Sequence, residues 1–306
     1  MNTQAATQST SSLRRPGWRG WALLSPLVGW LALFVIAPTL ILLICSFFEN
    51  AGMGEIDYRF TLQNFARIFQ GEHLRFYQRP YIHVFIRSIE YAGATTILCA
   101  LIGYPVAYFI GRCDEKWRGN LLMLVMIPFM TSFLIRTYAW FTILDKDGLL
   151  NSMLEALHII PNIIKQPIEL LYTPAAVMIA LVYMYLPFMI LPIYGSVEKL
   201  DRTLLEAASD LGAGPVRTFF RVTLPLTWPG ISAGILMTFV PAIAMFAVTR
   251  IMSGGHIRLI GDEIQEQFEQ AGDLPFGSAL GMALLALFVV IYLITNRKSA
   301  AARPLM

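Results

Sequence analysis

Six apolar stretches, Trp21–Phe48, Val84–Ile110, Leu121–Leu144, Ala175–Ile193, Ile231–Val248 and Ser278–Ile294, dominate this chain of 306 residues. A helix crosses the hydrocarbon of a bilayer with roughly 20 apolar residues, and in lipid every backbone N–H and C=O must find its partner within the protein. Runs of this length therefore predict helices, and with them an all-α polytopic membrane protein of six transmembrane helices. The composition is too apolar for a soluble domain of this size: 56% of residues are hydrophobic and 14% charged, with a mean hydropathy of +0.59. Pro128 falls near the middle of the third stretch, where the lost backbone hydrogen bond predicts a kink.

The first stretch is longer than the core of a signal peptide and carries no small-residue cleavage site, so it reads as a retained span. Pro16-Gly17 after Arg14-Arg15 does not continue a twin-arginine pattern. Six spans place both termini on one side. The N-terminus, the 112–118 hinge, the polar segment from Glu198 to Arg221 and the C-terminus together hold thirteen Lys/Arg, whereas the three opposite loops hold eight. Lys and Arg accumulate on the cytoplasmic side, which puts both termini and the polar segment inside. The organisation expected is a tail over 1–20, a six-span domain over 21–294 with a cytoplasmic loop at 199–229, and a second tail over 295–306. Within the outer loops, the broken apolar stretch Leu149–Ile164 suits a helix lying on the surface, and 249–276 reads as an acidic loop.

Several chemistries are absent. No Gly-Lys pair exists, hence no G-x-x-x-x-G-K-[ST] phosphate loop, and there is no H-E-x-x-H zinc motif. The four histidines are scattered and the three cysteines imply no disulfide framework. The net charge of +3 is spread over membrane-flanking segments and forms no patch for nucleic acid. The chain is thus expected to perform no catalysis, to hold no metal and to bind no cofactor.

Glu90 in the second run and Arg136 in the third are charges at similar expected depth. Either they pair, at the outer mouth of a solute path, or each snorkels to the interface. Aromatic residues gather beside them. Tyr138, Trp140 and Phe141 on the third run, with Tyr183, Tyr185 and Phe188 on the fourth, form an aromatic cluster. Such a cluster suits a cation–π or stacking site, or simply an interfacial aromatic belt.

Between the fourth and fifth runs lies a polar island, Thr203–Pro225. Thr203 and Glu206 are spaced as a capping box, which predicts a helix start at Thr203. Leu204, Leu205, Ala208 and Leu211 give that helix an apolar face. Gly212 and Gly214 then turn the chain, and Pro215 suits the first position of a second helix, closed by Leu224-Pro225. By itself, this pattern also suits an amphipathic helix lying among lipid headgroups.

The residues Glu206-Ala207-Ala208, Gly212, Val222, Leu224 and Pro225 carry a more specific spacing. It resembles the E-A-A-x3-G-x9-I-x-L-P signature of permease subunits of ABC importers, with Val222 in place of isoleucine. The resemblance implies the type I importer permease fold of the bacterial inner membrane, with a coupling helix here that docks on a cytoplasmic ATPase. The runs P-F-M-T-S-F-L-I-R-T-Y-A-W from Pro128 and L-V-Y-M-Y-L-P-F-M-I-L-P-I-Y from Leu181 resemble, more narrowly, the spermidine/putrescine permease family. So does the stretch from Gly254 to Leu280. This likeness covers residues 84–294. It implies a second permease subunit, two copies of an ATPase that carry the ATP and Mg, and a periplasmic substrate-binding protein. Four positions depart from the polyamine pattern. Met245 and Arg250 stand where a carboxylate is usual in or after span five, and Asp262 and Leu274 where asparagine and tryptophan are usual. Met245 joins Glu90, Arg136 and the aromatics as a candidate for the solute path. The alternatives are a less cationic or acid-bearing solute (an amino acid derivative, an opine or an aminophosphonate), an ion-gradient-driven carrier, and a membrane scaffold.

Overall fold

A computed structural model describes residues 18–52, 54–70, 81–157 and 167–301. The chain enters through α1 (Trp18–Leu31), a wider π turn (Ala32–Ile36) and α2 (Ala37–Cys45), which together form the first span. A small antiparallel hairpin follows, β1 (Glu49–Gly52) on β2 (Glu55–Asp57), then α3 (Gln63–Gln70). Asn64 fastens this loop by donating from Nδ2 to the carbonyls of Ser46 and Phe48 at 3.0 and 2.8 Å.

The second span is α4 (Tyr81–Arg112). The third is not one kinked helix but two, α5 (Glu115–Met126), extended by a 3₁₀ turn over Ile127–Met130, and α6 (Phe133–Leu144). Together with α7 (Leu149–Ala156), they bend by 86° at the break. Pro128 explains the location. Its missing N–H weakens the α-helical ladder, and Thr131 then adopts an extended ψ of 154°. Beyond α7, residues 158–164 of the expected surface helix lie outside the described residues.

The fourth span, α8 (Pro174–Glu198), starts at a Thr173 cap whose hydroxyl accepts from the Ala176 N–H. The polar island forms α9 (Arg202–Asp210) and α10 (Pro215–Thr218). From α10 the chain continues through a π turn (Phe219–Thr223) into α11 (Leu224–Ile243). Leu224-Pro225 therefore does not close the second helix: one 29-residue helix runs from Pro215 to Ile243. The π turn sits just before Pro225, whose missing N–H leaves the Arg221 carbonyl without its usual partner. The expected loop at 249–276 contains two helices, α12 (Ala247–Ser253) and α13 (Ile260–Glu269), before α14 (Leu274–Ala301) forms the last span.

The core is a three-helix stack of α4, α8 and α11. Without a hydrophobic drive between helices in lipid, close approach over small residues does the work. A methyl on Gly230 of α11 would collide with the Ser196 hydroxyl and the Pro192 carbonyl, and one on Gly111 of α4 would meet Val197. Polar bonds lock the stack. Tyr104 and Thr227 hydroxyls lie 3.0 Å apart, and the Tyr185 hydroxyl donates to the Pro241 carbonyl at 3.1 Å. Outward faces stay apolar: none of the Leu24–Cys45 window is buried.

Candidate functional site

The island is built differently at its start from what Thr203 and Glu206 suggest. The cap is Asp201, whose Oδ1 accepts from the Thr203 N–H at 3.0 Å, and α9 begins one residue earlier. An ionised Asp is a strong N-cap and complements the helix dipole, which leaves Glu206 unneeded for capping. Glu206 and Ala207 are exposed, with no hydrogen bond or ion pair of Glu206 among the described residues. Ala208 is half-buried. Of the expected apolar face, Leu205 points inward while Leu204 and Leu211 are 46% and 88% exposed. Gly212 takes φ +73°, a left-handed turn that receives the end of α9, with its N–H on Ser209 O at 2.8 Å. Gly214 caps α10, and Pro215 occupies its first turn as expected. A cleft of about 320 Å³ separates this hairpin from the end of α4, lined by Tyr108, Leu205, Ser209, Pro215, Phe219 and Thr223. Tyr104 of α4 meets Phe219 edge-on at 5.4 Å. Leu224 is half-buried and packs against the core, whereas Pro225 is exposed.

Sequence reading misses a polar cluster at the root of the island. Glu198 Oε1, on the last residue of α8, accepts from the Tyr194 hydroxyl at 2.7 Å and pairs with Arg118 Nη1 at 3.6 Å. Arg118 Nε also donates to the Cys113 carbonyl at 2.9 Å. The signal available was the i, i+4 spacing of Tyr194 and Glu198. Arg118 comes from a distant stretch that no local pattern could pair with it.

Glu90 and Arg136 are not brought together. Glu90 is exposed on α4, and no ion pair of either residue occurs among the described residues. Arg136 instead lays its guanidinium 4.7 Å from the Phe129 ring centroid across the α5–α6 break, with its Nε buried and unbonded. Arg87, three residues before Glu90 on α4, is half-buried. Phe129 meets Phe188 edge-on at 5.0 Å, and Phe188 lies 6.2 Å from Tyr185. Trp140 and Tyr183 do meet, edge-on at 5.3 Å. Tyr185 is buried with its hydroxyl committed to Pro241, so it packs rather than presents a surface. Tyr138 is exposed on the outside of α6, and Met245 packs half-buried at the end of α11.

On the opposite loop, α13 carries a charged cleft of about 380 Å³. Arg258 Nη1 pairs with Glu266 Oε2 at 2.6 Å, and the Asp262 carboxylate accepts from the Leu259 N–H at 2.9 Å. Burial pushes the Asp262 carboxyl up to about 7, even though this backbone bond and the nearby Arg250 and Arg258 pull it down. Burial raises Glu263 as well. Arg67 of α3 bridges to Asp273 at 2.9 Å and lies over the Phe276 ring at 4.1 Å, which ties the loop after the first span to the start of α14.

A mostly helical membrane chain with a broken third span and a helical hairpin joined rigidly to its fifth span has the fold of ABC importer permeases. Two solved structures share it. A bacterial ABC transporter involved in the import of the acidic polysaccharide alginate superposes with a TM-score of 0.69 at 20% identity, over 93% of this chain and 96% of that one. The MetNI methionine ABC transporter gives a TM-score of 0.51 at 17% identity, over 73% and 96%. The sequence family described as the binding-protein-dependent transport system inner membrane component matches residues 92–301, and the chain belongs to it. Among its relatives, the spermidine/putrescine transport system permease protein PotB of Salmonella typhi is 41% identical over 273 residues, 89% of this chain and 91% of that one. The protein of the same description from Escherichia coli strain K12 is 40% identical over 89% and 95%. The inner membrane ABC transporter permease protein YdcU of Escherichia coli is 31% identical over 71% and 72%.

Proposed function

We propose that this chain is a permease subunit of an ATP-driven importer for a small organic amine of the spermidine/putrescine type. The observation that carries this reading is the 40–41% identity to PotB permeases across nine-tenths of the chain. It performs no chemistry of its own. A second permease, two ATPase subunits that bind ATP and Mg, and a periplasmic binding protein complete the importer. Both termini and the 199–229 loop face the cytoplasm, in line with the Lys/Arg bias.

In this reading α9 is the coupling helix. Glu206 and Ala207 lie on its free surface and Gly212 sets the turn. When the ATPases close on ATP, the hairpin moves. Its second helix is continuous with α11, so the displacement passes into the span without a flexible joint. The Tyr104–Thr227 contact and the close approach at Gly230 then carry α4 and α8 along with it. Interfaces packed this tightly switch between discrete arrangements rather than deforming continuously.

The test is ATP hydrolysis by the complete importer in lipid, with its binding protein, across polyamines, amino acids and aminophosphonates. Stimulation by putrescine or spermidine is the expected result. Stimulation by none of the polyamines, with a response to other solutes, overturns the substrate class. No response to any loaded binding protein overturns the importer.

A further inference from the structure

The charged cleft on α12 and α13 has an unusual balance. Its lining includes Arg250, Gly254, Ile257, Arg258, Asp262 and Glu266. Two of the four charges cancel: Arg258 is spent on Glu266 at 2.6 Å, with Glu263 a further 4.0 Å contact. The other two do not. Arg250 reaches only a neutral partner, Gln265 Oε1 at 3.5 Å, and has no carboxylate within 4.0 Å among the described residues. Asp262 is bonded by the Leu259 N–H and has no cation within 4.0 Å among the described residues. One guanidinium and one carboxyl thus share a small-molecule-sized cleft of about 380 Å³, each lacking a charged partner.

A dication satisfies Asp262 and is repelled by Arg250, and a simple anion meets the reverse. A molecule with an ammonium at one end and a carboxylate at the other satisfies both. Arg is suited to the carboxylate because its planar fork can hold both oxygens. We propose that this cleft is a recognition site for a zwitterionic amine, with its acid group on Arg250 and its ammonium on Asp262. The proposal rests on the importer-permease reading alone, not on its polyamine solute, and assigns this cleft a ligand distinct from putrescine: an amine that also carries an acid. The same chemistry is available from one other source, the phosphate and ammonium of a phosphatidylethanolamine headgroup. The cleft's size and its position on the loop rather than on a span favour the free solute.

The experiment uses the complete importer in nanodiscs, without the binding protein, and radiolabelled 5-aminopentanoate, which is putrescine's four-methylene chain with one amine replaced by a carboxylate. Saturable binding is expected, displaced at least about tenfold less effectively by putrescine or pentanoate than by unlabelled 5-aminopentanoate. Arg250→Gln should weaken it by about tenfold or more, and Arg250→Lys by only about threefold because the charge remains. Asp262→Asn, which keeps an acceptor for Leu259, should weaken it comparably to Arg250→Gln. No saturable binding to the wild type, equal displacement by putrescine, or full binding to Arg250→Gln in an intact complex overturns the proposal. Binding is expected to be the same with or without phosphatidylethanolamine in the disc; loss of binding in its presence assigns the cleft to the headgroup and overturns the solute. ATP hydrolysis driven by loaded binding protein is read on the same wild-type preparation. Its absence would sink the permease reading, whereas loss of aminopentanoate binding with that response intact sinks only the cleft.

Discussion

Asp262, on the loop between α11 and α14, is a half-buried carboxyl among charged neighbours. Burial raises its carboxyl to about 7, so between about pH 4 and pH 7 the folded chain holds a proton that the unfolded chain has released. Stability from this group is therefore present at low pH, falls as pH rises through that window, and is flat above it. Asp262→Asn removes the cost and keeps the Leu259 bond. The apparent melting temperature of the complex should fall less between pH 5 and pH 8 in the variant than in the wild type, by about 2–4 °C for each kcal/mol recovered. An identical pH profile for the two proteins would show that the carboxyl is ordinary. At this scale, sequence is a good guide where a residue acts through its own backbone and a poor one where it acts through a distant neighbour. Gly212 and Pro215 stand where turn and helix chemistry put them. The Thr203–Glu206 box lost to Asp201, a stronger cap two residues earlier. The Glu90–Arg136 pair failed because similar depth on two spans says nothing about rotation about each helix axis, and Arg136 found the Phe129 ring instead.

The spans were legible as apolar runs, but their ends were not, and α3, α12 and α13 lie in segments that read as polar loops. Hydropathy stops where side chains leave the lipid, whereas α4, α8 and α14 continue into polar sequence. The 86° break in the third span was visible only as Pro128, because how far a proline bends a helix is decided by what the freed halves pack against. Two contacts between elements invite tests. Gly230→Ala adds a methyl where α11 already touches Ser196 and Pro192 on α8. It should destabilise the chain by about 1–3 kcal/mol and reduce the fraction of complex surviving a heat step. Unchanged survival would mean that the helices can slide apart at no cost. The Arg118–Glu198 pair links the hinge after α4 to the root of the island. Glu198→Lys should lower uptake severalfold, and reversing both charges, Arg118→Glu with Glu198→Lys, should recover most of it, the signature of a direct pair in a double-mutant cycle. If the double variant is worse than either single one, the pair is incidental.

For the whole molecule, the decisive question is whether the 203–225 hairpin transmits work. Glu206 has no described partner inside the chain and its side chain is exposed, so reversing its charge removes no internal contact. Any effect of Glu206→Lys must come from outside the chain. Gly212 acts differently. At φ +73° a residue with a Cβ is strained by about 1–2 kcal/mol, more when β-branched, so Gly212→Val should re-aim α9 relative to α11 without touching the core. Gly214, at φ −67° with open space around it, is the matched control. In the reconstituted importer, Glu206→Lys and Gly212→Val should each cut solute uptake by about tenfold or more, while both variants reach the membrane at normal levels. ATP hydrolysis should become insensitive to loaded binding protein, and Gly214→Ala should behave as wild type. The logic is mechanical. A lever works only if its tip meets the motor and its joint is stiff, and these two substitutions attack tip and joint separately. Uptake at the wild-type rate by both variants would leave the hairpin as a passive interfacial loop, and the drive would then have to enter through the 112–118 hinge instead.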